Sequence, residues 1–161
     1  MNKSNFIGVS ILTLAINVFL DRLTKILAFD FLRGESPIGF FYNTFVLVYT
    51  ENNGAFLGLG SNWYAPLKYV IFVIIPLAVC IVFFLHSCVR EKNRLRAILI
   101  VTVVAGGVSN LVDRLFNGFS VIDFMNFGIG NVRTGILNVA DLSVTFGAIA
   151  LILLEYRKQK H

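Results

Sequence analysis

Residues Tyr69–Leu85 read YVIFVIIPLAVCIVFFL. The run holds no charged residue, and its length reaches that of a membrane crossing, about 17–25 residues. Trp63, Tyr64 and Tyr69 stand at its entrance, as interfacial aromatics do. Pro76 inside it is tolerable in a membrane helix and predicts a kink there. Three more apolar runs flank it. Phe6–Leu20 continues as helix to about Phe29. Ala97–Val112 contains the small pair Gly106-Gly107, which lets helices approach closely in lipid. Gly135–Leu154 is interrupted by Asn138 and Asp141. The predicted spans are therefore about 6–29, 66–87, 96–116 and 135–155, within one domain covering residues 1–161.

Composition agrees. Of 161 residues, 57% are hydrophobic and 14% charged, and the mean hydropathy is +0.77. A soluble domain is nearer ~25% charged, and a disordered chain needs high charge with few apolar residues. A soluble globule of this size has too little interior to hide so much apolar side chain. The fold class is an all-α membrane protein with four transmembrane helices.

The basic residues orient it. Lys3, Arg90, Lys92, Arg94, Arg96, Arg157, Lys158 and Lys160 fall on one side, eight of the 14 Lys and Arg. The positive-inside rule then puts both termini in the cytoplasm. The net charge of +5 is thus chiefly an orientation signal, and nucleic-acid binding is disfavoured. Lys3 before an apolar run resembles a secretory leader. No small-x-small cleavage pattern follows, so the run reads as an uncleaved first helix. On the outer side, Phe40–Thr50 is rich in aromatic and β-branched residues and reads as strand. Asn52-Asn53-Gly54 reads as a turn, with Ala55–Leu59 as a returning strand. A small extracytoplasmic β-sheet on the outer membrane surface is expected. The segment from about Phe116 to Thr134 reads as irregular.

Cys80 and Cys88 are about 12 Å apart along one helix, too far for a disulfide. They read as apolar fillers. Four aspartates are harder to explain: Asp21, Asp113, Asp123 and Asp141 lie in spans or just past their outer ends, where ionisable groups are costly and mark a functional interior. Asp141 falls about seven residues into the fourth span, with Asn138 on the same face at i−3. A helix-tying pair with Arg114 is the structural reading of Asp141. Asp21 has Lys25 at i+4 and Asp113 has Arg114 beside it, so both read as ion pairs at helix ends. Asp123, in Val121-Ile122-Asp123-Phe124, has no basic neighbour; a turn or cap is its structural reading. Together Asp123 and Asp141 offer another. Two close carboxylates share one proton; the ionised member takes a proton from water and the protonated member polarises a carbonyl. Two rivals stand beside this. A proton-coupled transporter using the aspartates as a relay predicts related halves, and the chain shows no repeat. A metal-dependent hydrolase lacks its usual imidazoles, because His86 and His161 lie at the cytoplasmic side.

The chain resembles the bacterial lipoprotein signal peptidases (signal peptidase II) along nearly its whole length. Asp21-Arg22-Leu23-Thr24-Lys25 is similar to the family's first box. Asn52-Asn53-Gly54-Ala55-Phe56 resembles its Asn-x-Gly-Ala box, and Gly106–Arg114 (GGVSNLVDR) its Gly-Gly-x-x-Asn-x-x-Asp-Arg box. Val121–Phe124 and Asn138-Val139-Ala140-Asp141 match the boxes that hold the two catalytic aspartates. Ser109 stands where glycine is usual and Leu137 where phenylalanine is usual, and the Gly-Ala box lacks a second alanine. The resemblance implies an aspartic endopeptidase of the bacterial inner membrane, a monomer without metal or cofactor, with its site toward the extracytoplasmic side. It implies cleavage of prolipoproteins just before a diacylglyceryl-modified cysteine, contact with membrane lipids, and inhibition by globomycin-type depsipeptides. Asp123 and Asp141 are then catalytic. Asn52, Gly54, Asn110, Arg114, Asn138 and Ala140 bind substrate or orient the pair, and Asp21, Lys25 and Asp113 support them from behind.

Overall fold

The computed structural model describes residues 3–55 and 58–159. Four helices form the bundle: α1 (Lys3–Leu32), α2 (Ala65–Val89), α3 (Arg94–Phe116) and α4 (Val139–Lys158). All four are long and apolar enough to cross a membrane. Burial is inverted relative to a water-soluble domain. Large side chains such as Leu12, Phe19, Val82 and Ile152 point outward, while Ser10, Asp21, Lys25, Ser87, Asp113 and Asn138 are buried. Lipid is as apolar as leucine, so helices gain little by hiding leucine from it and more by pairing polar groups inside.

Helix α3 is central and packs against the other three. Its start is capped by the Asn93 side chain, which accepts from Arg96 N. The glycine pair serves two neighbours: a Cβ on Gly106 would lie 2.4 Å from the Ala140 carbonyl oxygen of α4, and one on Gly107 would lie 2.8 Å from Cys80 Sγ of α2. Gly106→Val is therefore expected to cost about 1–3 kcal/mol, the usual scale of overpacking. A thermal melt in detergent checks this; an unshifted midpoint would mean the helices are not in contact there. In α2, Pro76 has no N–H to offer the preceding turn. The helix widens just before it into a π-helical turn, Val70–Ile74, closed by Ile75 N–H to Val70 O. The proline effect expected from sequence is thus a local widening.

The outer sheet has four strands: β1 (Ile38–Phe40), β2 (Phe45–Asn52), β3 (Val121–Ile129) and β4 (Val132–Leu137), antiparallel in that order. Three expectations need correction. The strand expected over Phe40–Thr50 is broken by a turn in which Phe41, Tyr42 and Asn43 all take positive φ. The returning strand expected over Ala55–Leu59 is absent at Ala55, Gly58 and Leu59, which lie in bends and turns; Phe56 and Leu57 fall outside the described residues. The partner of β2 is instead β3, with Thr50 opposite Asp123. The segment read as irregular is thus largely a hairpin.

The fourth span also shifts. Gly135–Leu137 belongs to β4, and α4 begins at Val139 behind an Asn138 cap. Asp141 is therefore in the first turn of the helix, at its exposed backbone N–H groups, rather than seven residues into it. Sheet and bundle meet where Ala28 and Leu32 of α1 pack with Phe124 and Met125 of β3. That contact holds β3 over the end of α4.

Candidate active site

Asp141 and Asn138 form a capping box. The Asn138 side chain accepts from Asp141 N at 2.9 Å, and Asp141 Oδ2 accepts from Asn138 N at 3.0 Å. The box satisfies helix N–H groups that would otherwise be orphaned. It also fixes one face of the Asp141 carboxylate. The other oxygen accepts from Asn110 Nδ2 at 3.0 Å. Asp123 reaches the same place from β3. Its Oδ1 accepts from Asn138 Nδ2 at 2.6 Å and its Oδ2 from Asn52 Nδ2 at 3.1 Å. Asn138 thus touches both carboxylates, one through its side chain and one through its backbone.

Every carboxylate oxygen of the pair therefore has an amide donor, and both residues line one cavity of about 290 Å3 with Asn52, Asn110 and Arg114. Burial pushes the Asp123 carboxyl up to about 6, helped by the neighbouring Asp141 charge; the bonds from Asn52 and Asn138 pull it back only in part. Burial beside a like charge, with no base paired to Asp123, outweighs its two donors and leaves a carboxyl that keeps its proton unusually long.

The other expected residues fall around this centre. Arg114 is not bonded to Asp141. It donates from Nη2 to Gly54 O at 2.9 Å, and its guanidinium lies 5.8 Å from the Phe72 ring. It still feels both aspartates as nearby opposite charges. Gly54 is thus a backbone acceptor in a tight loop, where a Cβ would meet Leu59 O at 2.5 Å. Ala140 does not line the cavity. Its N–H donates to Asp21 Oδ1 at 2.8 Å, tying the first turn of α4 to α1.

Asp113 differs from its expected local pairing with Arg114. It faces α1 and pairs with Arg22 and with Lys25, the latter at 2.6 Å. Lys25 also bonds Asp21 at 2.7 Å and donates to Asn110 Oδ1 at 3.0 Å. Two acids and two bases thus share one buried cluster, which neutralises itself. Arg22, read from sequence only as a span-end base, is part of it. Its spacing of three from Lys25 was the available signal. Ser109 also joins, donating to Asp21 Oδ2 where the family's usual glycine has no hydroxyl to offer. Among the described residues, no three His, Cys, Asp or Glu side chains gather as a metal-binding set.

Fold and site together define a multi-pass membrane protein with a carboxylate pair, one member buried and one half-buried, where its sheet meets its bundle. Residues 13–157 match the family model described as signal peptidase (SPase) II. The lipoprotein signal peptidase of Borrelia duttonii is 34% identical over 157 residues, covering 94% of this chain and 89% of the relative. That of Borreliella afzelii is 34% identical over 144 residues, covering 86% and 84%. Two solved structures, each described as a bacterial membrane enzyme structure obtained by the in meso method, superpose with TM-scores of 0.79 and 0.78. They are 28% and 26% identical, and cover 96% and 94% of this chain and 91% and 94% of theirs. The chain belongs to the signal peptidase II family, and it is a peptidase.

Proposed function

We propose that this peptidase removes signal peptides from prolipoproteins, cutting just before a diacylglyceryl-modified cysteine, with Asp123 and Asp141 as its catalytic pair. The observation that carries the reading is the shared cavity. Two carboxylates face it, Asp123 buried and Asp141 half-buried, each held by asparagine donors and neither neutralised by a bonded base.

The chemistry follows from one proton shared by two acids. The ionised carboxylate takes a proton from water as the water oxygen attacks the scissile carbonyl carbon. The protonated carboxyl gives its proton to the carbonyl oxygen. Collapse of the tetrahedral intermediate breaks the C–N bond: the proton first taken from water goes to the leaving amine, and the other carboxylate takes back a proton from one of the intermediate's two hydroxyls, which restores the pair. The pair titrates as a unit, so the proton belongs to both. Asn52, Asn110 and Asn138 orient the carboxylates, and Arg114 steadies the residual negative charge while holding the Gly54 loop over the cavity. Asp21, Lys25 and Asp113 keep α1, α3 and the start of α4 in register.

The positive-inside pattern orients the chain in the bacterial inner membrane with both termini cytoplasmic and the sheet outside. A site at this boundary lets the acyl chains of the substrate stay in lipid while water reaches the peptide bond. Globomycin-type depsipeptides fit the same reading as inhibitors, and the site is complete within a monomer.

Cleavage of a lipidated prolipoprotein by the purified chain, followed by gel shift, tests this. Activity is expected to persist in excess chelator; loss on chelation with recovery on adding metal would refute the carboxylate pair. The pH dependence is a second test. The Asp123 proton is held up to about 6, so kcat is expected to fall on the alkaline side with a midpoint at or above 6, where that proton is lost. A fall centred near 4, where an ordinary carboxyl titrates, would contradict the shared proton.

A further inference from the structure

The first turn of α4 carries Asp141, so whatever holds that turn also places the carboxylate. A helix start leaves N–H groups without an acceptor inside the helix. The Asn138 side chain takes the Asp141 N–H. The Ala140 N–H goes instead to Oδ1 of Asp21, a buried carboxylate on α1, at 2.8 Å. Asp21 thus caps α4 from a neighbouring helix, and its negative charge suits the positive end of the helix dipole.

Such a cap holds only as well as the carboxylate is itself held. Oδ2 of Asp21 is bonded twice, by Lys25 Nζ at 2.7 Å and by the Ser109 hydroxyl of α3. Ser109 is 0% exposed. A hydroxyl inside a helix commonly bonds back to the carbonyl four residues before it, as Thr24 does to Leu20 O and Thr102 to Ile98 O. Ser109 spends its proton across the bundle. Its face of α3 is the face that meets α4, because Gly106, three residues before it on that face, is where the Ala140 carbonyl comes close. Ala140 therefore has its carbonyl against Gly106 and its N–H on the carboxylate that Ser109 grips. The next residue of α3, Asn110, donates to Asp141 Oδ1 at 3.0 Å. Two neighbouring residues of α3 thus hold two neighbouring residues of α4, one through Asp21 and one directly.

We propose that Ser109 is a positioning residue for Asp141. By tying one oxygen of Asp21 to α3, its hydroxyl keeps the other on the Ala140 N–H, and so fixes the first turn of α4 at the distance from Asp123 that a shared proton needs. Lys25 supplies charge to the same oxygen from a flexible four-carbon stem; the short serine side chain sets where that oxygen lies. The proposal rests on the aspartate-pair reading above. It adds to that reading a residue that touches neither carboxylate of the pair.

Ser109→Ala removes one oxygen and little else. It is expected to lower kcat about tenfold, short of the roughly 10²-fold of a 1 Å misplacement, with KM within about twofold. The alkaline midpoint of kcat is expected to move down. Burial and the Asp141 charge hold the Asp123 proton, and a first turn that drifts from Asp123 weakens the second of these. Lys25 and Arg114, the bases that also act on Asp123, are unchanged. Ser109→Gly, the residue usual in the family, also lacks the hydroxyl and is expected to match Ser109→Ala in kcat and midpoint. Amide hydrogen exchange reads the same tie without turnover. In both variants the Ala140 N–H is expected to exchange about tenfold faster than in wild type, with the amides of residues 100–104 in α3 unchanged. Wild-type kcat, midpoint and Ala140 exchange in Ser109→Ala, whatever its melting temperature, would overturn the proposal and leave Ser109 a packing residue. A slow Ser109→Ala beside a Ser109→Gly of wild-type rate would overturn it too, because the added methyl and not the lost hydroxyl would be the cause. Failure of the wild-type chain to cleave any lipidated precursor removes the peptidase reading, and the positioning role with it, even where the exchange result shows the tie.

Discussion

Asp123→Asn and Asp141→Asn are each expected to lower cleavage of a lipidated prolipoprotein by at least about 10³-fold, the scale of losing a positioned acid or base. An amide is nearly the same shape as a carboxyl but neither takes up nor releases a proton at neutral pH, so the change isolates chemistry from packing. At Asp123 the new side chain keeps an oxygen for Asn138 or Asn52 but turns an NH2 toward the other, leaving one donor facing a donor. At Asp141 the capping box survives if the amide oxygen stays on Asn138 N–H. The new NH2 then faces Asn110 Nδ2, at the cost of about one hydrogen bond, roughly 1 kcal/mol, and burial of one fewer charge offsets part of it. Both variants should therefore fold and melt near the wild-type temperature. Turnover within tenfold of wild type in either variant would remove that residue from the chemistry. Loss of turnover with a collapsed melting transition would instead make it a structural residue. The double variant should be no worse than either single one, because residues that act as a unit are not additive.

What could be read from the sequence was whatever depends on short spacing. The four spans follow from apolar length, and the Asn138–Asp141 spacing marked a real contact, though it is a capping box and not the shared helix face expected. The boundaries were missed where one local pattern serves two structures. Gly135–Leu137 is apolar, and a short apolar run does not distinguish strand from helix; here β3 claims it as a partner, and the helix starts four residues later. Phe41 and Tyr42 favour strands by propensity, yet they sit at positive φ in a turn, because β2 must reverse onto β1. Partner choice across the bundle was not legible either. Asp113 has Arg114 beside it in sequence, but the bases on its own side of the packed bundle are Arg22 and Lys25 of α1. Packing of α1 on α3 decides this, and no spacing within one helix carries it. Arg114, thus released, turns to the Gly54 loop.

Lys25→Met is the second large expectation. Lys25 is 1% exposed and spends its ammonium on Asp21, Asp113 and Asn110. Removing it leaves two buried carboxylates with one base, Arg22, between them. Breaking a buried ion pair by deleting one partner costs about 3–5 kcal/mol, because the remaining charge is uncompensated. That is a large share of the roughly 5–15 kcal/mol that holds a typical protein folded. At about 2–4 °C per kcal/mol for a chain of this size, the melting temperature should fall by roughly 10 °C. Lys25→Met combined with Asp21→Asn restores neutrality, since Asp113 keeps Arg22, and most of the lost temperature should return. Activity should not return with it. Asn110 Oδ1 accepts from both Lys25 and Asn138, which leaves its NH2 aimed at Asp141. Without the lysine, one of the two donors that forbid the amide to flip is gone. The double variant should therefore be stable yet slow, with the deficit in kcat rather than KM, because the grip on substrate is untouched while the orientation of Asp141 is not. A single variant melting within about 2 °C of wild type, a shift worth no more than about 1 kcal/mol, would show that the cluster does not carry the charge balance assigned to it. A stable double variant with full kcat would confine Lys25 to holding the fold.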